Sequence, residues 1–373
     1  MRRLVPATLL IAVTFCALAF AAGITGSTSV AKAAGTAYAE KFSIKYLKNG
    51  CKIVTDSKGV KFLLVPRGQK RPYGYGGLRM VRTPVQRVIC MSTTQLCLLR
   101  PIGSLGVVRG VSVSADDLYI AQVKAAMKKG LVKQVAGGMG EPDYEKVVAL
   151  KPDVVFTYTE SGPASEKMYQ KFKELGLTTV VDNSWLESDP LARLEYVKML
   201  AAFVNKDAKA RAFFKASVAR AKSVEKAARK ASKKRPRVLW GMTMDGAKYW
   251  VNRGDSYATT AVKMAGGHEV FSNLEGVGSV QVSAEEVYAR GRNADVWIFA
   301  SMKQYFRGLN WLKSNSPLMA KTKPVKSNRV WIYQPWYYQV VDKTDEIIKD
   351  LAKIFNPRLF PGYKVKHFLK APR

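Results

Sequence analysis

Two stretches far apart in this chain share one local plan, and that plan restricts the fold more than any other feature. Glu145-Lys146-Val147-Val148-Ala149 is a short helical pattern that leads through Pro152-Asp153 into the apolar run Val154-Val155-Phe156. Glu285-Glu286-Val287-Tyr288-Ala289 leads through Ala294-Asp295 into Val296-Trp297-Ile298, with a spacer two residues longer. Arg237-Val238-Leu239 likewise matches Arg87-Val88-Ile89. A helix-then-buried-strand unit that occurs on both sides of a chain predicts two α/β lobes, each with its own core.

The residues around these repeats fit that plan. Arg87 to Met91 reads as a buried strand, and Ser92 caps a helix over Thr93 to Leu99. Val107 to Val113 is the next strand, Tyr144 to Leu150 a short helix, and Pro152 to Thr157 a strand. Ser165 to Leu175 is an amphipathic helix stopped by Gly176, and Thr178 to Val181 returns as a strand. Such alternation gives a mainly parallel sheet with helices on its faces. Asp189-Pro190 opens something different, a cap followed by proline in a first helical turn. Leu191, Leu194, Val197, Leu200 and Val204 form an apolar stripe, and helical signal runs on to Lys233-Lys234-Arg235, broken near Asn205 and ending before Pro236. A second α/β series follows at once, so this stretch reads as a connector. The expected organisation is a leader over 1–33, a β-rich segment over 34–83, an N-terminal α/β lobe over 84–188, a connecting helical region over 189–235, and a C-terminal α/β lobe with a C-terminal helix over 236–373.

Arg2 and Arg3 precede an almost wholly apolar run from Leu4 to Ala22, and Ala19-Phe20-Ala21 or Ala31-Lys32-Ala33 offer small residues for cleavage. This is the layout of a secretory signal peptide. It predicts an exported, soluble, periplasmic protein beginning near Ala34. The run is also long enough for an uncleaved anchor, while lipidation at Cys16 suits the sequence less, because the bulky Phe15 precedes it. Charge narrows the partners. With 61 Lys and Arg against 28 Asp and Glu, the chain carries +33 at neutral pH, which favours an anionic ligand, an anionic membrane face or nucleic acid. Residues 205–237 hold thirteen of the basic residues and two acidic ones. Few aromatics interleave there and export disfavours nucleic acid, so the stretch reads as a solvated helix face.

Cys51, Cys90 and Cys97 remain beyond the leader, an odd count that argues against a full disulfide framework. Cys90 and Cys97 read as small buried hydrophobes, with one disulfide left open in an oxidising compartment. Two histidines, His268 and His367, and no CxxC leave no histidine-based metal cluster and imply no resident cofactor. The chain has no GxSxG, no P-loop and no HExxH. Gly137-Gly138-Met139-Gly140 and Gly74-Tyr75-Gly76-Gly77 lack the strand-to-helix spacing of a dinucleotide site and read as turns. The residues therefore favour a binding protein over an enzyme.

Arg87-Val88-Ile89-Cys90-Met91-Ser92, the string Glu145 to Val155, the long central helix and Val282-Ser283-Ala284-Glu285-Glu286-Val287 together resemble the helical-backbone solute-binding proteins of iron-siderophore, haem and cobalamin ABC importers. Trp250 to Tyr257 with Ala265-Gly266-Gly267 resembles the branch called iron-complex binding, and the likeness covers roughly residues 84 to 362. The resemblance implies a class III periplasmic binding protein clamshell, two Rossmann-like lobes joined by a long rigid α-helix with limited hinge motion. It implies a monomer that works with an ABC permease and its ATPase subunits and meets the membrane only through the permease. It also implies one surface glutamate per lobe that docks to the permease, and Glu145 and Glu285 occupy the matching positions.

A ligand in such a protein is expected in the crevice between lobes, where strand ends converge. Tyr158 closes one strand, and Trp240 and Met242 lie at the matching end of another. Trp250 and Tyr257 flank the Gly254-Asp255-Ser256 turn, and Ser301 and Tyr305 follow the strand ending at Phe299. Ser92 and Thr93 offer hydroxyls and helix-start N–H groups, and Arg253 offers a guanidinium to a carboxylate. The expected ligand is a bulky, anionic metal chelate, a ferric siderophore, haem or corrinoid, held by aromatic walls. An oxyanion such as molybdate is the alternative, and an exported enzyme on the same fold a weaker one.

Overall fold

Asp153 and Asp295, the acidic residues common to the two repeats, do the same work in two places. The Asp153 carboxylate accepts the backbone N–H of Gln86 at 2.7 Å and of Arg87 at 3.0 Å, while its own N–H donates to the Arg87 carbonyl at 2.8 Å. Asp295 accepts from the Arg237 N–H at 2.9 Å and donates to the Arg237 carbonyl at 2.7 Å. In each case the start of one strand is tied to the start of its neighbour, which pins the register to Val88 beside Val154 and Val238 beside Val296. The repeated aspartate is thus a register device.

The computed structural model describes residues 35–137, 141–231 and 234–372. The leader over 1–33, Cys16, Gly138-Met139-Gly140 and Lys233 lie outside the described residues. The chain forms two compact units. Unit 1 takes the chain up to Ser184 together with Glu195–Ala212, and unit 2 takes Trp185–Leu194 and the chain from Phe213 onward.

Unit 1 opens with β1 (Ser43–Tyr46), β2 (Lys52–Thr55), β3 (Lys61–Pro66) and β4 (Arg79–Thr83), which form one sheet in that order. The turn-rich stretch between β3 and β4 leaves Tyr73 fully exposed. Then come β5 (Val88–Cys90), α1 (Thr93–Leu99), β6 (Val108–Val111), α2 (Ala121–Lys128), β7 (Lys133–Gln134), α3 (Tyr144–Ala149), β8 (Val154–Thr157), α4 (Pro163–Glu174) and β9 (Thr179–Val181). These strands make a second sheet, β7-β6-β5-β8-β9, in which every pairing is parallel. Ile89, Val155, Val147 and Phe172 pack helices α3 and α4 onto it. Cys51, Cys90 and Cys97 are all free and buried, so the disulfide left open by the sequence is not formed.

The helical stretch is two helices, α5 (Pro190–Phe203) and α6 (Asp207–Ala231), separated at Asn205, whose φ of 53° is the left-handed conformation that asparagine tolerates. Both helices contribute residues to both units. Asp189 caps α5 as expected, accepting the Leu191 N–H at 2.7 Å. The expected apolar stripe of α5 proves too narrow: Glu195, Tyr196, Met199, Ala201 and Ala202 are as buried as Leu191 and Leu194. Glu195 is tolerated there because its carboxylate accepts three successive backbone N–H groups, those of Ala37, Tyr38 and Ala39, at 2.7 to 3.0 Å, and pairs with Lys198.

Unit 2 continues with β10 (Arg237–Thr243), β11 (Lys248–Asn252), α7 (Tyr257–Met264), β12 (His268–Glu269), β13 (Ser279–Ser283), α8 (Ala284–Gly291), β14 (Val296–Met302), α9 (Leu309–Asn315), α10 (Pro317–Ala320), α11 (Lys323–Lys326), β15 (Val330–Tyr333), α12 (Thr344–Phe355) and β16 (Phe368–Lys370). Its sheet runs β13-β11-β10-β14-β15-β16, with β12 also on β10. The centre, β10-β14-β15, is parallel; β11 and β16 run antiparallel to it, and β13, antiparallel to β11, runs with it again. Gly241 and Gly267 sit where a Cβ would come within 3 Å of Trp250 and Phe355, so close packing requires glycine at both.

Candidate ligand wall and docking residues

In unit 1, adjacent strands β5 and β8 bring Ser92 and Tyr158 to the same carboxyl edge of the parallel sheet. Ser92 is committed locally. Its Oγ accepts the Thr94 N–H at 3.2 Å, and its own N–H donates to Gln95 Oε1 at 3.0 Å, a capping box that fixes the start of α1. Thr93 is the first residue of that helix. Tyr158 packs against the apolar cluster, and burial pushes its phenol well above the usual range, so it stays protonated and neutral. Next to it lies a polar network that sequence reading missed. Asn183 accepts the Thr159 N–H at 2.9 Å and donates to Thr159 Oγ1 at 2.9 Å and Glu160 Oε1 at 3.2 Å, while Gln95 Nε2 donates to the Thr157 carbonyl at 3.2 Å. These bonds hold the edge of the sheet rigid.

In unit 2, Trp240 and Tyr257 line one cavity, together with Arg193, Tyr337, Tyr338 and aliphatic residues of α12. Its volume of about 30 Å³ holds about two waters. The walls are aromatic and ordered. The ring of Tyr333 stacks on that of Tyr337 at 3.8 Å, Tyr338 meets both edge-on, and Trp240 donates from Nε1 to the Tyr333 hydroxyl at 2.7 Å. The Arg193 guanidinium lies 4.2 Å over the Tyr257 ring. Burial, with Tyr257 adding to it, drives the Tyr337 phenol far up, so this wall is uncharged apart from Arg193.

Met242, Trp250, Arg253, Ser301 and Tyr305 do not line this cavity, and Trp240 lines it from the middle of a strand. Trp240 lies within β10 and not at its end, because β10 runs on to Thr243 to pair with β11; only 2% of it is exposed. Met242 is Trp250's register partner across that antiparallel pair. The Arg253 guanidinium turns back to the Glu275 carbonyl at 2.8 Å and braces its own loop. Ser301 is buried inside β14, which extends past Phe299 to Met302, and Tyr305 follows in the turn after it. Arg193, Tyr337 and Tyr338 were not singled out from sequence; the run Trp336-Tyr337-Tyr338 just after an apolar β-branched stretch is a signal for the two tyrosines, and Arg193 has none.

Glu145 and Glu285 are exposed in the first turns of α3 and α8, helices capped by Asp143 and Ser283. The backbone N–H of Glu285 itself, followed by the Ser283 hydroxyl, holds the Glu285 carboxyl below its usual range. Among the described residues no cluster of His, Cys, Asp and Glu could hold a metal ion, and no helix is long and apolar enough to cross a membrane.

Residues 90–336 match the periplasmic binding protein family over most of the chain. The chain belongs to that family. An uncharacterized lipoprotein of Methanocaldococcus jannaschii is 32% identical over 86% of this chain and 78% of its own length. A periplasmic haem-binding protein of Pseudomonas aeruginosa superposes with a TM-score of 0.60 at 18% identity, covering 78% of this chain and 99% of that one. A molybdate periplasmic binding protein of Haemophilus influenzae gives 0.61 at 18% identity, over 84% and 94%. This periplasmic binding protein therefore has the mixed α/β fold of class III members, with α6 as the long helix. The family comprises solute-binding components of ABC importers, which bind small molecules and work with a permease.

Proposed function

We propose that this periplasmic binding protein captures a flat, anionic metal chelate of the iron-siderophore, haem or corrinoid kind and delivers it, without chemistry, to an ABC permease. The observation that carries the reading is the aromatic group of unit 2, in which Trp240, Tyr333, Tyr337 and Tyr338 pack edge-to-face and stacked, while Tyr257 lines the same cavity with the Arg193 guanidinium laid on its ring. The enclosed space is too small for a chelate, so these rings act as a wall on which a flat ligand lies. Tyr257 and Tyr338 are half-buried and so keep ring surface that can meet it. Arg193 lines this cavity and its guanidinium suits a ligand carboxylate.

The test begins with native mass spectrometry and an absorbance spectrum of the protein from its host, to identify what it carries. The variant Tyr257→Ala/Tyr338→Ala should then bind that ligand more weakly by about 2 kcal/mol at high salt. Unchanged affinity moves the site elsewhere. An oxyanion such as molybdate is a second reading, favoured by the small cavity volume and by the similarity to a molybdate-binding protein. A colourless, metal-oxyanion mass on the purified protein would select it.

Glu145 and Glu285 are proposed as the permease anchors. They are exposed carboxylates at equivalent places in the two repeats, on a chain of +33. Export by the N-terminal leader, with a periplasmic and unlipidated mature chain, belongs to the same proposal and rests on the sequence of residues 1–33.

A further inference from the structure

The outward face of α6 carries positive charge that ligand capture does not use. Along this helix Ala210, Phe214, Ser217, Ala221, Val224 and Ala228 are buried, a single seam at helical spacing. On the side turned away from that seam stand Arg211, Lys215, Lys222, Lys226, Arg229 and Lys230, all exposed. At the rise of an α-helix they form a ridge about 28 Å long. The exposed positions among them are small, namely Ala208, Ala212, Ala216, Ala219 and Ser223. The two acidic residues of the helix offset little of this charge. Asp207 is taken by Lys52 at 2.6 Å, and Glu225 pairs with one ridge cation, Lys222, at 2.9 Å. Among the described residues Lys215, Lys226, Arg229 and Lys230 have no ion-pair partner.

We propose that this ridge is a docking surface for the anionic lipid headgroups of a membrane, independent of the ligand and of the glutamate anchors. A member of this family delivers to a permease embedded in a bilayer, so a lipid surface is the extended anion it must approach. The ridge lies on one continuous helix, and its small intervening residues let the cations reach a plane of phosphates. It presents no aromatic residue on which bases could stack, which disfavours nucleic acid. It presents no large apolar residue either, so the helix adsorbs without inserting, and the contact is reversible and sensitive to salt. Each cation held near an anionic leaflet strengthens partitioning about fivefold at low ionic strength.

The experiment is co-sedimentation of the full protein, as processed by the expressing cell, with vesicles of phosphatidylcholine alone and of phosphatidylcholine with about a third phosphatidylglycerol, at low and at high salt. The expected result is binding to the anionic vesicles only, weakened by salt. The variant Lys215→Gln/Lys222→Gln/Lys226→Gln/Arg229→Gln should lose at least thirtyfold. A control, Lys128→Gln/Lys129→Gln/Lys133→Gln/Lys313→Gln, removes the same charge elsewhere and should lose less than threefold. Ala212→Glu/Ala219→Glu leaves every cation in place and must also weaken binding, so the proposal does not depend on the fourfold variant folding. Equal losses in ridge and control variants would show diffuse charge and overturn it. So would equal binding to the uncharged vesicles, or tighter binding of a short DNA duplex through the same four residues.

Discussion

Glu269 is buried in the core of unit 2 and has no lysine or arginine salt bridge among the described residues, so its protonation couples to stability. Its carboxyl accepts the Trp240 N–H at 3.3 Å and the Phe271 N–H, but burial outweighs these bonds and lifts its pKa from 4.5 to about 8. Between those values the folded protein holds a proton that the unfolded chain has lost, so stability declines as pH rises from about 4.5 to about 8 and then levels. Urea unfolding of Glu269→Gln should show that decline flattened relative to the parent; an unaltered slope would mean the carboxylate is ionised in place. Trp240 teaches a related lesson. Its position on β10 was legible, but its distance from the strand end was not, because that end is set by antiparallel pairing with β11. The Trp240→Phe variant loses the indole hydrogen bond to Tyr333 and leaves a buried hydroxyl without its donor, at a cost of about 1 to 3 kcal/mol in thermal or urea unfolding.

At the scale of elements, what the sequence made legible is what short-range chemistry dictates. Ser92 caps α1, Asp189 caps α5, Asn205 separates α5 from α6, and the helix-to-strand strings ending in Asp153 and Asp295 fold as read. What stayed hidden depends on partners brought in by the fold. Glu195 reads as an outward residue of an amphipathic helix until Ala37, Tyr38 and Ala39 deliver three N–H groups to it. Arg193, Tyr257 and Tyr338 come from three separate segments, and no local pattern announces that they share a cavity. Replacing Glu195 by Ala should destabilise the protein by about 3 kcal/mol, since three donors and Lys198 lose their acceptor at once. A loss below about 1 kcal/mol in chemical unfolding would show that water substitutes for the carboxylate.

At the scale of the whole molecule, transport separates docking from capture. Glu145→Lys together with Glu285→Lys should reduce uptake in cells at least tenfold while ligand affinity, measured by calorimetry, changes less than twofold. Loss of affinity with uptake rates scaling in proportion would place these residues in the ligand site. The two-unit division has a further consequence. Every tryptophan of the chain, from Trp185 to Trp336, belongs to unit 2, and the three described cysteines, all buried thiols, belong to unit 1. Indole fluorescence therefore follows one unit alone, and the trapping of Cys51, Cys90 and Cys97 by a thiol reagent follows the other. Recorded on the same denaturant series, the two signals ask whether the units melt as one cooperative body or in succession, with no substitution introduced.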